Sequence, residues 1–168
     1  DFRSDRGIQK AFAQGVRLKS VLNTEGPQRL FARDGSFALD VNAPVGEVFV
    51  VVVTDESWGI VAVDLSLLLE KEDPEPFPWA VGVDDLEALL HGLKARDKSP
   101  GHLLEYLRQR CRLHGRAFSD DELNIAGYYL DHGSLPAPST DSRELLLFTP
   151  ENSTVFDEPF ADEHGNVL

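Results

Sequence analysis

Along residues 7–22 the apolar positions Ile8, Ala11, Phe12, Val16, Leu18 and Leu22 recur with the 3.6-residue period of one helical face, so the pattern predicts an amphipathic helix there. Lys19 falls near the middle of that stripe, where a cation either snorkels to water or finds a use. Gly26 and Pro27 end the segment. Two short alternating runs follow, Leu30–Phe31 and Phe37, Leu39, Val41, around Asp34-Gly35, which is the signature of a hairpin. The next run, residues 47–54, holds five valines and a phenylalanine without alternation. A strand buried on both faces has this pattern, so 47–54 is expected to be the central strand of a sheet between helices.

Asp55, Glu56, Ser57, Trp58 and Gly59 then form a polar loop at the strand end, followed by an apolar turn or helix through Leu69. Ligands in open α/β sheets bind beyond the carboxyl ends of strands, which makes Asp55, Glu56 and Trp58 strand-end candidates for a site. Asp55 and Glu56 have the chemistry to hold a metal; a solvated loop carries the same residues for no functional reason. Pro74, Pro76 and Pro78 stiffen the connection into a short buried strand at 79–83. Asp84 is placed to cap a helix with Glu87 at its third position and Leu86, Leu89, Leu90 and Leu93 along it.

Ser99 and Pro100 start another helix, with Leu103, Leu104, Leu107 and Cys111 on one face and Arg108 and Arg112 on the other. Ser119 with Glu122 reads as a capping box before the last helix, which stops at Gly133. The acids Asp120, Asp121 and Glu122 suit the positive end of that helix's dipole and require no metal. The expected class is therefore α/β: a mixed sheet with its central strand at 47–54 flanked by helices, and a helical C-terminal part. Residues 1–134 form the domain, with a helical subdomain at 99–133, and 135–168 is an acidic, proline-containing tail with one strand at 145–149.

Length and composition narrow the class. A chain of 168 residues, 42% of them apolar and 27% charged, is sufficient for one packed domain and excludes wholesale disorder. The longest apolar run is six residues, Val48 to Val53, far short of the roughly 18 to 20 of a membrane span, so no membrane contact is expected. The one cysteine, Cys111, cannot form an internal disulfide, which suits a reducing, cytoplasmic compartment. No methionine occurs, position 1 included, as expected of a segment of a longer polypeptide or of a processed product.

A net charge of −13 argues against generic polyanion binding. Its distribution is uneven. Residues 1–33 carry seven basic and three acidic groups, 34–95 two and thirteen, 96–116 six and two, and 117–168 one and eleven. The two basic segments either pair with acidic neighbours inside the fold or converge on one phosphate-facing surface. No glycine-rich phosphate loop, zinc-protease helix or hydrolase elbow is present. Cys111 and His114 are two ligands where zinc needs four, and Cys111 lies on an apolar stripe rather than beside a base.

Three segments, VVVVTDESWGI at 50–60, PWAVGVDDLEALL at 78–90 and FSDDELNIAGYYLDHG at 118–133, resemble the C-terminal half of large uncharacterised prokaryotic proteins related to restriction-endonuclease-like, PD-(D/E)XK-type nucleases. The resemblance spans residues 7–134. It implies that 7–22 is the helix after the catalytic strand and 47–54 the strand after that helix. The metal-binding Asp and the Glu-x-Lys strand of such nucleases have no counterpart here: Glu70-Lys71 has the wrong spacing, and the chain holds only five lysines. The resemblance therefore implies a non-catalytic accessory portion of a DNA-processing protein, with no cofactor in this segment, Mg²⁺ in the parent protein if that is a nuclease, and DNA reached through the parent. Lys10 and Lys19 on the first helix, and Arg108 and Arg112 on the helix that starts at Ser99 and Pro100, are then the candidates for phosphate contact. The alternative is an acidic protein–protein interaction module with a protein partner and no nucleic-acid activity; a small-molecule enzyme using Asp55, Glu56 and Trp58 is a third reading.

Overall fold

The computed structural model describes residues 7–24, 28–41, 45–55, 57–66, 68–71, 75–96, 99–139 and 144–157. The chain is α/β with a helical C-terminal part and divides into two compact units, residues 1–51 and 52–168. This division falls at 51/52, whereas the sequence pattern suggested one at 134.

In the first unit, α1 (Ile8–Thr24) buries Ile8 and Phe12, as its periodicity predicts. Residues 45–50 run beside it as irregular backbone: a Cβ on Gly15 would overlap the Val50 side chain, so glycine is what allows this approach. The hairpin β1 (Gln28–Phe31) and β2 (Phe37–Val41) is antiparallel, with Leu30 opposite Leu39 and an irregularity between Leu30 and Phe31. Its connection is longer than the two-residue turn expected from Asp-Gly. Ala32 N–H donates to Ser36 O at 2.8 Å, Gly35 takes φ +83°, and the Asp34 carboxylate accepts from the Ser36 N–H and hydroxyl.

In the second unit, β3 (Val51–Thr54) pairs with β4 (Trp79–Gly82) in a two-stranded sheet. The strand expected over 47–54 is therefore four residues long, and its two-sided burial is not found: Val52 is buried, but Val51 and Val53 are 38% and 48% exposed. Burial on both faces belongs instead to β4, all four residues of which are buried, with α2 (Ile60–Val63) and α3 (Val83–Ala95) packed against it. A continuous valine run specifies extended backbone but not which layer covers it.

The cap of α3 is Gly82, not Asp84, so the helix starts directly where β4 stops. A Cβ on Gly82 would lie 3.3 Å from Ser57 Cα, and the lack of one lets the loop after β3 close over this junction. Asp84 and Asp85 occupy the first turn, where carboxylates complement the dipole.

The rest of the unit is helical: α4 (Pro100–Arg110) with Ser99 and Pro100 at its start, and α5 (Glu122–His132) closed by Gly133 at φ +75°. The N-cap of α5 is Asp121, whose Oδ1 accepts from Leu123 N–H at 2.7 Å; Ser119 supports that cap by donating its hydroxyl to Asp121 O. The capping role expected of Ser119 thus moved two residues on and released Glu122 to the interior. Between α4 and α5, β5 (Ala117–Phe118) pairs in parallel with β6 (Leu146–Leu147), and a 3₁₀ helix (Pro150–Phe156) packs on α5. Residues 144–157, within the stretch expected as an acidic tail with one strand at 145–149, are part of the packed unit, with Phe148 buried against Tyr128. Among the described residues, no helix is long and apolar enough to cross a membrane.

Candidate functional site

The centre of the second unit is polar. Arg110 projects from the last turn of α4 into full burial, and its Nε and Nη2 donate to both oxygens of Glu122 at 2.8–3.1 Å. Glu122 Oε1 also accepts from Tyr106 Oη at 2.6 Å and Trp79 Nε1 at 2.8 Å, and Arg110 Nη2 reaches Val63 O at 2.9 Å. Burial opposes the Arg110 charge, but the Glu122 carboxylate outweighs it, and the guanidinium pKa is raised. The Tyr106 hydroxyl is pushed well up, first by burial and then by the Glu122 charge. One node thus ties β4, α2, α4 and α5 together. No solvent reaches it, which makes it a structural element and not a reaction centre.

The sequence pattern missed this node because it placed Leu103, Leu104, Leu107 and Cys111 on the core face of α4. Tyr106, Leu107 and Arg110 are the buried residues, whereas Leu104 is exposed and Cys111 half-buried. The available signal was Tyr106 and Arg110 at i, i+4 spacing, one helix before an acid at the start of the next.

His114 lies beside the node. Leu65 N–H donates to its Nδ1 at 3.2 Å, so Nε2 carries the proton and donates to Pro78 O at 3.1 Å. Burial lowers the His114 pKa, against the pull of the Asp64 carboxylate. Asp64 lies beside His114, Oδ1 3.8 Å from Nδ1, accepts from Ser66 N–H and Gly115 N–H, and is held far below the usual carboxylate range by these neighbours. Asp85 is the opposite case: burial, then repulsion from Asp121 and Glu122, raises it to about 6 against a hydrogen bond from Ser57.

The candidate phosphate contacts are divided between the two units, Lys10 and Lys19 in the first and Arg108 and Arg112 in the second. Lys10 and Lys19 are nine residues apart on α1, which at 100° per residue places them on opposite sides of the helix. Lys10 is exposed and Lys19 half-buried. Arg108 is engaged by Glu105 on its own helix, and Arg112 stands exposed beyond the last turn. Of the strand-end candidates, Asp55 is exposed, Trp58 is half-buried, and Glu56 lies outside the described residues. Among the described residues, no group of three or more His, Cys, Asp or Glu side chains is arranged to hold a metal.

What the fold does assemble is an apolar surface. In the parallel pair, Ala117 is opposite Leu146 and faces inward, while Phe118 is opposite Leu147 and faces solvent, 50% and 67% exposed. Leu145, two residues before Leu147, is exposed as well. The ladder hydrogen bonds use Arg116 O and Phe118 O toward Leu146 and Phe148, so Leu147 presents its own N–H and C=O at the outer edge of β6. On the other side of β5 a cavity of about 290 Å³ opens between that strand and α2, with Ile60, Val61, Val63 and Leu68 in its wall. Asp64 and Ser119 are its polar members, and Phe118 belongs to both the cavity and the exposed face.

The surface is set in strong negative charge. Residues 52–168 hold nine basic and twenty-three acidic groups, a net charge of −14, against +1 for residues 1–51. No protein-family model, no curated protein and no solved structure matches the chain.

Proposed function

We propose that this chain is an acidic protein-interaction module, and that its second unit binds an apolar, positively charged segment of a partner protein at the outer face of β5 and β6. The observation that carries the reading is the adjacency of Phe118, Leu145 and Leu147, three large apolar side chains exposed side by side on a unit of net charge −14. Grouped exposed apolar side chains rimmed by polar residues mark contact sites, and complementary charge sets the partner's sign and speeds encounter. The outer edge of β6, which no strand among the described residues covers, adds main-chain groups to which an extended segment can pair. Such a module needs no cofactor, and a reducing cytoplasmic setting suits its single cysteine.

The accessory role in a DNA-processing protein draws its support from the sequence resemblance, and one of its four candidate cations, Arg108, is already paired with Glu105. Fluorescence anisotropy on the full chain separates the two. A labelled peptide of alternating lysine and leucine and a labelled DNA duplex are titrated at low and high salt. The interaction reading expects the peptide to bind, to weaken with salt, and to lose at least about tenfold in affinity on Leu147→Glu or Phe118→Glu. Binding of the duplex but not the peptide, reduced by Arg112→Glu or Lys10→Glu, overturns it in favour of the accessory role.

A further inference from the structure

We infer that the cavity between α2 and β5 is an anchor pocket, which takes one leucine- or phenylalanine-sized side chain of a basic, extended partner segment whose neighbouring cation faces Asp64. This deepens the interaction reading and rests on it.

The lining decides the class of occupant. The cavity, of about 290 Å³, has room for one large apolar side chain. Its wall is formed mainly by the aliphatic groups of Ile60, Val61, Val63 and Leu68, which offer an apolar side chain contact and a polar one no partner. The rim is accessible: Ile60 is 48% exposed and Phe118 50%. Phe118 lines the cavity and also stands opposite Leu147 on the exposed face, so the two surfaces are contiguous.

Charge selects the segment. Asp64 stands in the cavity wall with its side chain 28% exposed, and its hydrogen bonds to Ser66 and Gly115 fix the carboxylate in place. Asp120, next in sequence to the lining residue Ser119, is exposed. The buried Arg110 does not offset these acids, being neutralised by Glu122. A second copy of the chain would bring its own −14 unit to this rim, so a basic partner is favoured over self-association.

The test uses the full chain and four lysine-flanked peptides that differ only at the central residue: leucine, phenylalanine, alanine or aspartate. Leucine and phenylalanine peptides should bind about tenfold or more tighter than the alanine peptide, the gain expected from burying one such side chain. Ile60→Glu, which puts a like charge at the rim, should erase that difference, and Leu145→Ser should leave it. Methyl NMR on the unsubstituted chain should show shifts at Ile60, Val61 and Leu68, a readout that stands even if Ile60→Glu does not fold. Equal affinities for all four peptides, or shifts confined to Leu145 and Leu147, overturn the anchor pocket while leaving the interaction reading intact. Absence of binding by every peptide overturns both, and self-association that competes with the peptides assigns the cavity to a second copy.

Discussion

Arg110 and Glu122, twelve residues apart on successive helices, meet in a fully buried bidentate pair with Nη2 to Oε2 at 2.8 Å. Its hydrogen bonds to Trp79, Tyr106 and Val63 O make the node a fixed reference for β4, α2, α4 and α5.

Removing one charge should therefore be severe. Glu122→Gln keeps the shape but leaves a buried guanidinium uncompensated, and about 3 to 5 kcal/mol of stability should be lost in urea unfolding. Replacing both residues by apolar ones should not restore the wild-type value, because the Trp79 and Tyr106 donors would then be buried without their acceptor. A loss below about 1 kcal/mol for Glu122→Gln would show that water reaches the node.

Gly127 lies on the face of α5 that receives the 3₁₀ helix, and a Cβ there would overlap the Asn152 carbonyl. Gly127→Ala is expected to destabilise by about 1 to 3 kcal/mol or more, despite alanine's better helix propensity, because backbone must move to admit it. Limited proteolysis should show cleavage within 144–157 appearing in the variant and absent in the parent. A stabilised variant with unchanged cleavage would contradict the packing.

Asp85 has its pKa raised to about 6 by burial and by Asp121 and Glu122. The sign follows directly: the folded state binds the Asp85 proton more tightly than the unfolded chain, so this residue's contribution falls as pH rises from about 4 through about 6. Asp85→Asn removes the charge and should stabilise the protein at neutral pH by about 1 kcal/mol after allowance for solvent screening. The gain should vanish near pH 4; thermal melts of both proteins across this range check it.

His114 acts in the other direction. Its neutral ring is held between Leu65 N–H and Pro78 O, and burial lowers its pKa. The unfolded chain takes up this proton near 6.5 while the folded one does not, so stability is full above about 6.5 and declines as pH falls toward the folded value. Asp85→Asn is the background in which to measure this, since the two slopes oppose each other in that window. His114→Gln in the same background should flatten the decline, and an unchanged slope would assign it to other groups.

Most secondary structure was legible because it is local. The stripe of Ile8 and Phe12, the hairpin around Asp34-Gly35, the Ser99-Pro100 start and the Gly133 stop each lie within one or two turns of chain. Capping was less so, since three candidate oxygens at 119–122 compete for the same N–H groups, and the winner, Asp121, was decided when Glu122 was drawn inward to Arg110. The candidate surface was not legible at all. Phe118 and Leu147 are distant in sequence, and neither periodicity nor composition says that β5 and β6 pair in parallel with those two side chains outward.

The sequence by itself determined the α/β class, the first helix, expected over 7–22 and found over 8–24, the hairpin, the succession of helices after residue 83 and the excess of acid in the C-terminal two-thirds, because these depend on period, turn chemistry and counting. Tertiary structure alone decided that β4 rather than the valine run is buried on both faces, that Arg110 is interior, and that Phe118, Leu147 and the α2–β5 cavity lie together. Burial is a property of what packs on a residue, and that covering layer arrives from remote parts of the chain whose pairing no local pattern encodes.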